Sequence, residues 1–158
     1  MTASSLALTP RRWYSWDFTL TSGDRTLAQL DLSWREKGVV RIGDFEHRVY
    51  REGMVGGDFV IERGGEVLAR ASKPSAFRHT IVITHDGRQY TLRRKSFWKR
   101  AFVLLEGDTN IGSLSPNSWL GRDATVHLPA DWPLAVKTFV VWLAIILWKR
   151  DAAAAASS

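Results

Sequence analysis

The sequence has no cysteine among its 158 residues. Disulfides, thiolate catalysis and cysteine-based zinc sites are therefore excluded. Residues 1–10 also lack the charged start and long apolar run of a signal peptide. We expect a flexible leader over residues 1–11, a single domain over residues 12–150, and a disordered alanine-rich tail over residues 151–158.

Recognisable catalytic motifs are also missing. The four histidines form neither a His-x-x-x-His nor a His-Glu-x-x-His pair, and no nucleophile elbow, phosphate-binding loop or dinucleotide fingerprint is present. The glycines of residues 53–57 lack the lysine and helix that a phosphate loop needs, so they indicate a turn. We therefore predict no enzymatic activity, no catalytic residue, no metal and no cofactor.

What the chain does have is eight tryptophans and an excess of positive charge. Lys and Arg number 22 against 16 Asp and Glu, which gives a formal net charge of +6. Tryptophans are large and need a partner for the indole N–H when buried. Eight of them in so short a chain predict a sizeable core, an adhesive surface, or both.

One apolar segment near the end of the chain is predicted to form a helix. Asp131 and Pro133 suit its start, Lys149 and Arg150 suit its end, and residues 139–148 are all apolar. Ten helical residues span about 15 Å, whereas a bilayer core is about 30 Å thick. A helix over residues 133–150 is therefore predicted as a buried core helix, and a C-terminal membrane anchor is the alternative.

The rest of the domain shows short β-rich runs separated by glycine-containing turns. Gly43-Asp44, Gly64-Gly65 and Asp86-Gly87 are typical of tight hairpins. The predicted runs are residues 13–21, 26–34, 39–42, 45–51, 58–63, 66–71, 77–84, 89–93, 102–105, 110–114 and 123–128.

So many short strands followed by one apolar helix predict a particular architecture. The fold class is mainly β, a closed antiparallel barrel of about twelve strands around a central C-terminal hydrophobic helix. Its core helix residues are Phe139, Trp142, Ile145, Ile146 and Trp148. Lys137, Lys149 and Arg150 are expected near the mouths of the barrel.

Several of these runs, in this order, resemble the tubby C-terminal-like superfamily, which includes tubby, the phospholipid scramblases and the LURP-one-related proteins. The matching residues are 59–73, 80–92 with its Asp-Gly-x-x-Tyr-x-Leu motif, 102–107, and Ile111-Gly112, followed by the terminal helix. The chain is most similar to small bacterial members of the group. The resemblance implies a barrel of about twelve strands around a hydrophobic helix, and binding of phosphoinositides through basic residues. The chain departs from the scramblases in lacking cysteine and an acidic calcium loop.

One charged segment stands out from the background. Residues 93–100 contain five cations, Arg93, Arg94, Lys95, Lys99 and Arg100, interleaved with Phe97 and Trp98. Such a segment suits an anionic membrane surface or a phosphoinositide-like headgroup, with the aromatics at the interface. The alternative is a basic strand pair whose aromatics reach the core. Arg11-Arg12 before Trp13 is a smaller instance of the same pattern.

These observations favour a non-enzymatic barrel that binds anionic phospholipid headgroups or another acidic surface. We expect it in the cytoplasm, peripheral to the membrane. The alternatives are a C-terminally anchored membrane protein and a protein-interaction module, for which Trp119 is a further candidate contact. Nucleic acid is disfavoured as a partner, because no recognisable nucleic-acid-binding module is present.

Overall fold

Twelve strands and one helix make up the chain in the computed structural model, which describes residues 3–33, 35–53, 56–73, 80–95, 100–118 and 121–157. The strands are β1 (Ala3–Pro10), β2 (Phe18–Ser22), β3 (Arg25–Leu32), β4 (Lys37–Ile42), β5 (Phe45–Arg51), β6 (Phe59–Arg63), β7 (Glu66–Ser72), β8 (Thr80–His85), β9 (Arg88–Arg94), β10 (Phe102–Glu106), β11 (Thr109–Pro116) and β12 (Ala124–Pro129). The helix α1 covers Leu134–Ala156.

The twelve strands form one closed antiparallel barrel. Each strand pairs with its neighbours in the sequence, and β1 closes the barrel by pairing with β12 and β2. Alternate side chains point inward, as β9 shows with buried Tyr90 and Leu92 beside exposed Arg93. Closure leaves no free sheet edge. The predicted fold class, a closed barrel of about twelve strands with a C-terminal helix, is confirmed.

The N-terminal residues differ from the prediction of a flexible leader. Ala3–Pro10 form β1, and Leu6 and Leu8 are buried in the core. Residues 3–8 pair with residues 124–129, more than a hundred positions later in the chain. The alternation of Leu6 and Leu8 with small or polar residues is that of a half-buried strand. Because most residues of this segment are small or polar, it was not predicted to be the strand that closes the barrel.

Helix α1 runs through the barrel. Its residues 136–148 are all buried, and they include Phe139, Trp142, Ile145, Ile146 and Trp148. These thirteen residues span about 20 Å, which is comparable to a six-residue strand. The helix also continues to Ala156, where a disordered tail was expected from residue 151. Alanine has the highest helix propensity, so the alanine run extends the helix beyond the barrel.

The alternative of a membrane anchor rested on the same apolar segment. No helix in the described part of the chain is long and apolar enough to cross a bilayer. Within the barrel, Trp142 packs against Phe59 and Phe139, with ring centroids 5.7 and 5.9 Å apart, and Trp148 packs against Phe102 at 6.1 Å. A segment buried in this way on every side has no apolar face left for lipid. The segment on which the anchor alternative rested is thus part of the barrel core.

The barrel wall contains a repeated unit that was not predicted from the sequence. Phe18, Phe59 and Phe102 begin β2, β6 and β10, lie 41 and 43 residues apart, and are fully buried. The hairpin that each phenylalanine begins has a bulge on its second strand, at Leu27, Leu68 or Ile111. These three side chains pack against the core. Three similar four-strand units thus build the barrel, with β1 completing the third.

The five tryptophans that the structure describes divide between the core and the loop of residues 11–17. Trp142 and Trp148 fill the interior, and Trp132 closes the entrance with its ring centroid 4.7 Å from that of Tyr90. Trp13 and Trp16 do not lie on a strand, although a strand was expected over residues 13–21, because residues 11–17 form the connection between β1 and β2. Trp34, Trp98 and Trp119 lie outside the described residues.

Candidate functional site

The antiparallel order gives the barrel two different ends. At one end, which we call the turn end, β2–β3, β4–β5, β6–β7, β8–β9 and β10–β11 are joined by two residues each, and α1 enters. At the other, which we call the loop end, the connections are four to seven residues long, and α1 emerges. The short connections use residues with positive φ, such as Gly43 at 59° and Gly87 at 72°. The loop end therefore has most of the irregular surface, where binding residues usually lie.

Charge is distributed unequally between the two ends. Counted over the connections, their bordering strand residues and residues 149–151 of α1, the described part of the loop end has twelve Lys and Arg and six Asp and Glu. The turn end, counted in the same way, has three arginines and seven acidic residues. The formal net charge of +6 is thus distributed unevenly, and the barrel has a basic loop end and an acidic turn end.

An exposed aromatic pair lies at the loop end. Trp13 is 88% exposed and Tyr14 is 64% exposed, and their rings make an edge-to-face contact with centroids 5.6 Å apart. Arg12 lies beside them, with its guanidinium donating to the Tyr14 hydroxyl oxygen at 3.2 Å. A large aromatic side chain of this exposure, flanked by cations, is typical of an interaction surface rather than of packing.

The loop that carries this pair is fixed by Arg122, from the connection between β11 and β12. Its guanidinium donates to the backbone carbonyl oxygens of Arg12 and Trp13, both at 2.6 Å, and to that of Ser15. The same guanidinium lies 5.3 Å from the centroid of the Trp16 ring. Burial lowers the pKa of Arg122 below its ordinary value. Arg122 therefore holds the loop of residues 11–17 in place through these hydrogen bonds.

The emerging helix is tied to the surrounding connections by polar contacts. Lys149 donates from Nζ to the carbonyl oxygen of Ser33 at 2.7 Å, and Arg150 donates from Nε to Glu36 at 2.7 Å. Asp151 accepts a hydrogen bond from Arg94. A groove of about 460 Å³ lies beside this exit and is lined by residues that include Trp16, Glu36, Ile146, Lys149, Arg150 and Ala153.

Two lysines near this groove, Lys149 and Lys73, have pKa values below the ordinary value for lysine. Burial lowers the pKa of Lys149, and Glu36 and Asp17 oppose the change. Burial also lowers the pKa of Lys73, and the nearby positive charges of Arg150 and Arg51 lower it further. An anion at this mouth would meet closely spaced positive charges, although Glu36 already neutralises part of them.

The structure does not bring the predicted basic segment together as one cluster. Arg93 and Lys95 are exposed, whereas Arg94 is mostly buried, pairs with Asp151 and lies over the Phe102 ring. Arg100 donates to the carbonyl oxygen of Gly121, and its own carbonyl oxygen accepts from the Trp148 indole. Lys99, Phe97, Trp98 and Trp119 lie outside the described residues. Of the described cations predicted here, Arg93 and Lys95 have the most accessible side chains.

Other residues at the loop end were given less weight by the sequence analysis. Arg12 had a visible signal as a smaller instance of the basic and aromatic pattern, whereas the prediction of a strand over residues 13–21 suggested that Trp13 was part of the wall. Arg122 had no signal, because it contacts residues more than a hundred positions earlier in the chain. Topology alone places these residues at one end.

The described side chains outside the loop end include a buried histidine and no cluster of metal-ligating residues. They contain no group of three or more His, Cys, Asp or Glu residues that could hold a metal ion. His47 is buried, with Nδ1 lacking a hydrogen-bond partner, and burial lowers its pKa below 6.5. His47 lies on β5 inside the barrel wall, away from the loop end, so it takes no part in the candidate site.

The comparisons with other proteins give no family assignment. No protein-family model matches the sequence, and no curated protein or solved structure matches it either. The function must therefore be argued from the geometry of the barrel and its two ends.

Proposed function

We propose that the protein is a non-enzymatic barrel of the tubby C-terminal-like type whose loop end binds anionic phospholipid surfaces. The membership rests on the resemblance of the sequence, together with a twelve-strand closed barrel around a C-terminal helix. The observation that carries the function is the coincidence of the basic end with the exposed pair Trp13 and Tyr14. On this proposal the protein is a peripheral protein of the cytoplasmic membrane face.

Accessible cations supply the attraction. In the part of the chain that the structure describes, Arg12, Lys37 and Lys95 are exposed at the loop end and form no ion pair. Each Lys or Arg near an anionic leaflet contributes about 1 kcal/mol of binding free energy. The acidic turn end is repelled by the same leaflet, so the molecule is oriented with its loop end toward the lipid.

The same cations could be used by a bilayer or by a single phosphoinositide headgroup. A bilayer would engage the rim of the loop end as a whole, whereas a single headgroup would enter the groove beside Lys149 and Arg150. We favour the bilayer surface, because Arg150 is already bound to Glu36 in the groove while Arg12 and Lys95 at the rim are accessible.

A vesicle flotation experiment tests this function. Binding should be strong to vesicles containing phosphatidylserine, weaker in high salt, and negligible to phosphatidylcholine alone. The double variant Arg12→Gln/Lys95→Gln should bind about 30-fold more weakly, since two cations at about 1 kcal/mol each are lost. The matched control Arg25→Gln/Arg88→Gln removes the same charge from the turn end and should bind like the original protein or slightly more weakly.

The outcomes separate the possibilities clearly. Equal binding by the two double variants would show that the loop end does not face the membrane. Binding only to vesicles that contain a phosphoinositide would favour headgroup capture in the groove. No binding to any anionic vesicle would refute the proposal and leave a protein-interaction module as the alternative.

A further inference from the structure

Trp13 and Tyr14 form an exposed apolar feature held on a rigid support. The connection of residues 11–17 is bounded by β1 and β2, and Arg11 N–H donates to the Asp17 carbonyl oxygen at 2.8 Å across its base. Above this base, the carbonyl oxygens of Arg12 and Trp13 accept from Arg122. The loop is thus ordered by backbone contacts, while its two aromatic side chains remain accessible to the solvent.

The polar contacts of Arg122 hold the backbone of the loop and leave the side chains of Trp13 and Tyr14 exposed. Its three acceptors are backbone carbonyl oxygens in the loop, and its guanidinium stacks near Trp16, which is half-buried against the core. Of the two tryptophans in the loop, Trp16 therefore packs against the core, and Trp13 is exposed. A side chain presented in a preordered loop loses less conformational entropy on binding.

We propose that Trp13 and Tyr14 insert into the interfacial region of an anionic bilayer, and that Arg122 is the positioning residue for this insertion. The inference rests on the proposed function, because the same cations bring the loop end to the lipid. A bilayer is the occupant that the charges favour: Arg12 lies next to the aromatic pair, and the surrounding end is basic. Tryptophan and tyrosine are the residues enriched at the level of the lipid headgroups.

The absence of cysteine permits a clean measurement of insertion. In the single-cysteine variant Tyr14→Cys, an environment-sensitive nitrobenzoxadiazole label reports the polarity at this loop. Phe45→Cys is the matched control, since Phe45 is a 54% exposed aromatic residue beside a turn at the opposite end. Vesicles of phosphatidylcholine with phosphatidylserine should shift the emission to the blue and increase its intensity at position 14, with no shift at position 45.

The affinity of unlabelled variants tests the contribution of the pair. Trp13→Ala/Tyr14→Ala should bind the same vesicles about tenfold or more weakly, because burial of two large aromatic side chains is lost. Phe45→Ala should bind like the original protein. Both substitutions affect exposed side chains, so the thermal unfolding temperature should change little in either variant.

The role of Arg122 requires a variant that keeps its charge. Arg122→Lys preserves the positive charge, but an ammonium lacks the planar fork that reaches three carbonyl oxygens. In the Tyr14→Cys background it should reduce the blue shift on anionic vesicles and weaken binding several-fold. Arg25→Lys, at an exposed position of the turn end, is the control and should change neither quantity.

Failure of this inference can be told apart from failure of the proposed function. If the original protein does not bind anionic vesicles, the function itself is wrong. If it binds and Trp13→Ala/Tyr14→Ala binds equally well, with the label at position 14 remaining in water, insertion is refuted while surface attraction stands. A blue shift without vesicles, together with a dimer in sedimentation that Trp13→Ala abolishes, would assign the pair to self-association and overturn the proposal.

Discussion

Replacing Trp142 by alanine tests whether the helix is the core of the barrel. Trp142 is 1% exposed, and its ring lies 5.7 Å from that of Phe59 on the wall and 5.9 Å from that of Phe139 on the same helix. A tryptophan buries about 150–250 Å², which is worth about 4–6 kcal/mol at about 25 cal/mol per Å². Alanine retains a small part of this area, and a cavity adds to the loss.

We therefore expect Trp142→Ala to lower the free energy of unfolding by about 3–5 kcal/mol. For a chain of this length the unfolding temperature should fall by about 10 °C. Trp13→Ala is the matched control, because it makes the same chemical change at a site that is 88% exposed. Its free energy of unfolding should remain within about 0.5 kcal/mol of that of the original protein.

Urea unfolding followed by far-ultraviolet circular dichroism measures both variants. If Trp142→Ala fails to fold, Ile145→Val makes a smaller cavity at a fully buried position and should cost about 0.5–1.5 kcal/mol. The reasoning is refuted if Trp142→Ala unfolds at the same urea concentration as Trp13→Ala. That result would mean that the barrel stands without the helix inside it.

Two further predictions concern polar groups in the folded barrel. Since burial lowers the pKa of His47 below 6.5, the unfolded chain binds a proton more readily, so stability should decrease as the pH falls below 6.5. His47→Leu should flatten this part of the stability curve in urea titrations. Asp151→Asn leaves the mostly buried Arg94 without its carboxylate and should lower the unfolding temperature by about 3–6 °C in a calorimetric scan, whereas Asp108→Asn, at an exposed turn, should change it little. An unchanged pH profile in His47→Leu, or equal melting of the two asparagine variants, would contradict these expectations.

Local signals were sufficient to predict most of the barrel wall. Pairs such as Gly43-Asp44 and Asp86-Gly87 fix where one strand ends and the next begins, and each hairpin then forms between neighbours in the sequence. The helix was equally visible, because its apolar run was too short for a bilayer and too uniform for a surface. Strand β1 was missed because its residues are mostly small or polar apart from Leu6 and Leu8, and because β12, one of its two partners, lies at the other end of the chain.

The internal repeat was available in the sequence but was not recognised. Each of the segments that begin at Phe18, Phe59 and Phe102 has an aliphatic residue two positions later and a glycine five positions later. The side chains at the intervening strand positions differ between the units, since Thr19 is partly exposed whereas Val60 and Val103 are buried. Recognition of this spacing would have identified Phe18 as the start of a strand and residues 11–17 as a connection.

The candidate site depended on facts that a linear pattern does not contain. The run of residues 93–100 was singled out because its cations are adjacent in the sequence, yet alternation along β9 points Arg93 outward and leaves Arg94 to pair with Asp151 at the mouth. Arg12 and Lys95 are more than eighty positions apart and share an end because the antiparallel order places every second connection at that end. Charge segregation of this kind becomes visible only once the strand order is known.

The dipole of helix α1 does not explain why one end of the barrel is basic and the other is acidic. The N-terminus of α1 lies at the acidic end and its C-terminus projects from the basic end, which is the favourable arrangement for a dipole. The effect is confined to the first and last turns, however, and α1 has no acidic residue in its first turn and no basic residue in its last. The charges of the outer connections, such as Arg12 and Lys95, belong to the rim and not to the helix. Their stabilising contribution within the barrel is small, because exposed cations without ion pairs do little for folding. A partner of opposite charge outside the molecule is what such a rim can attract.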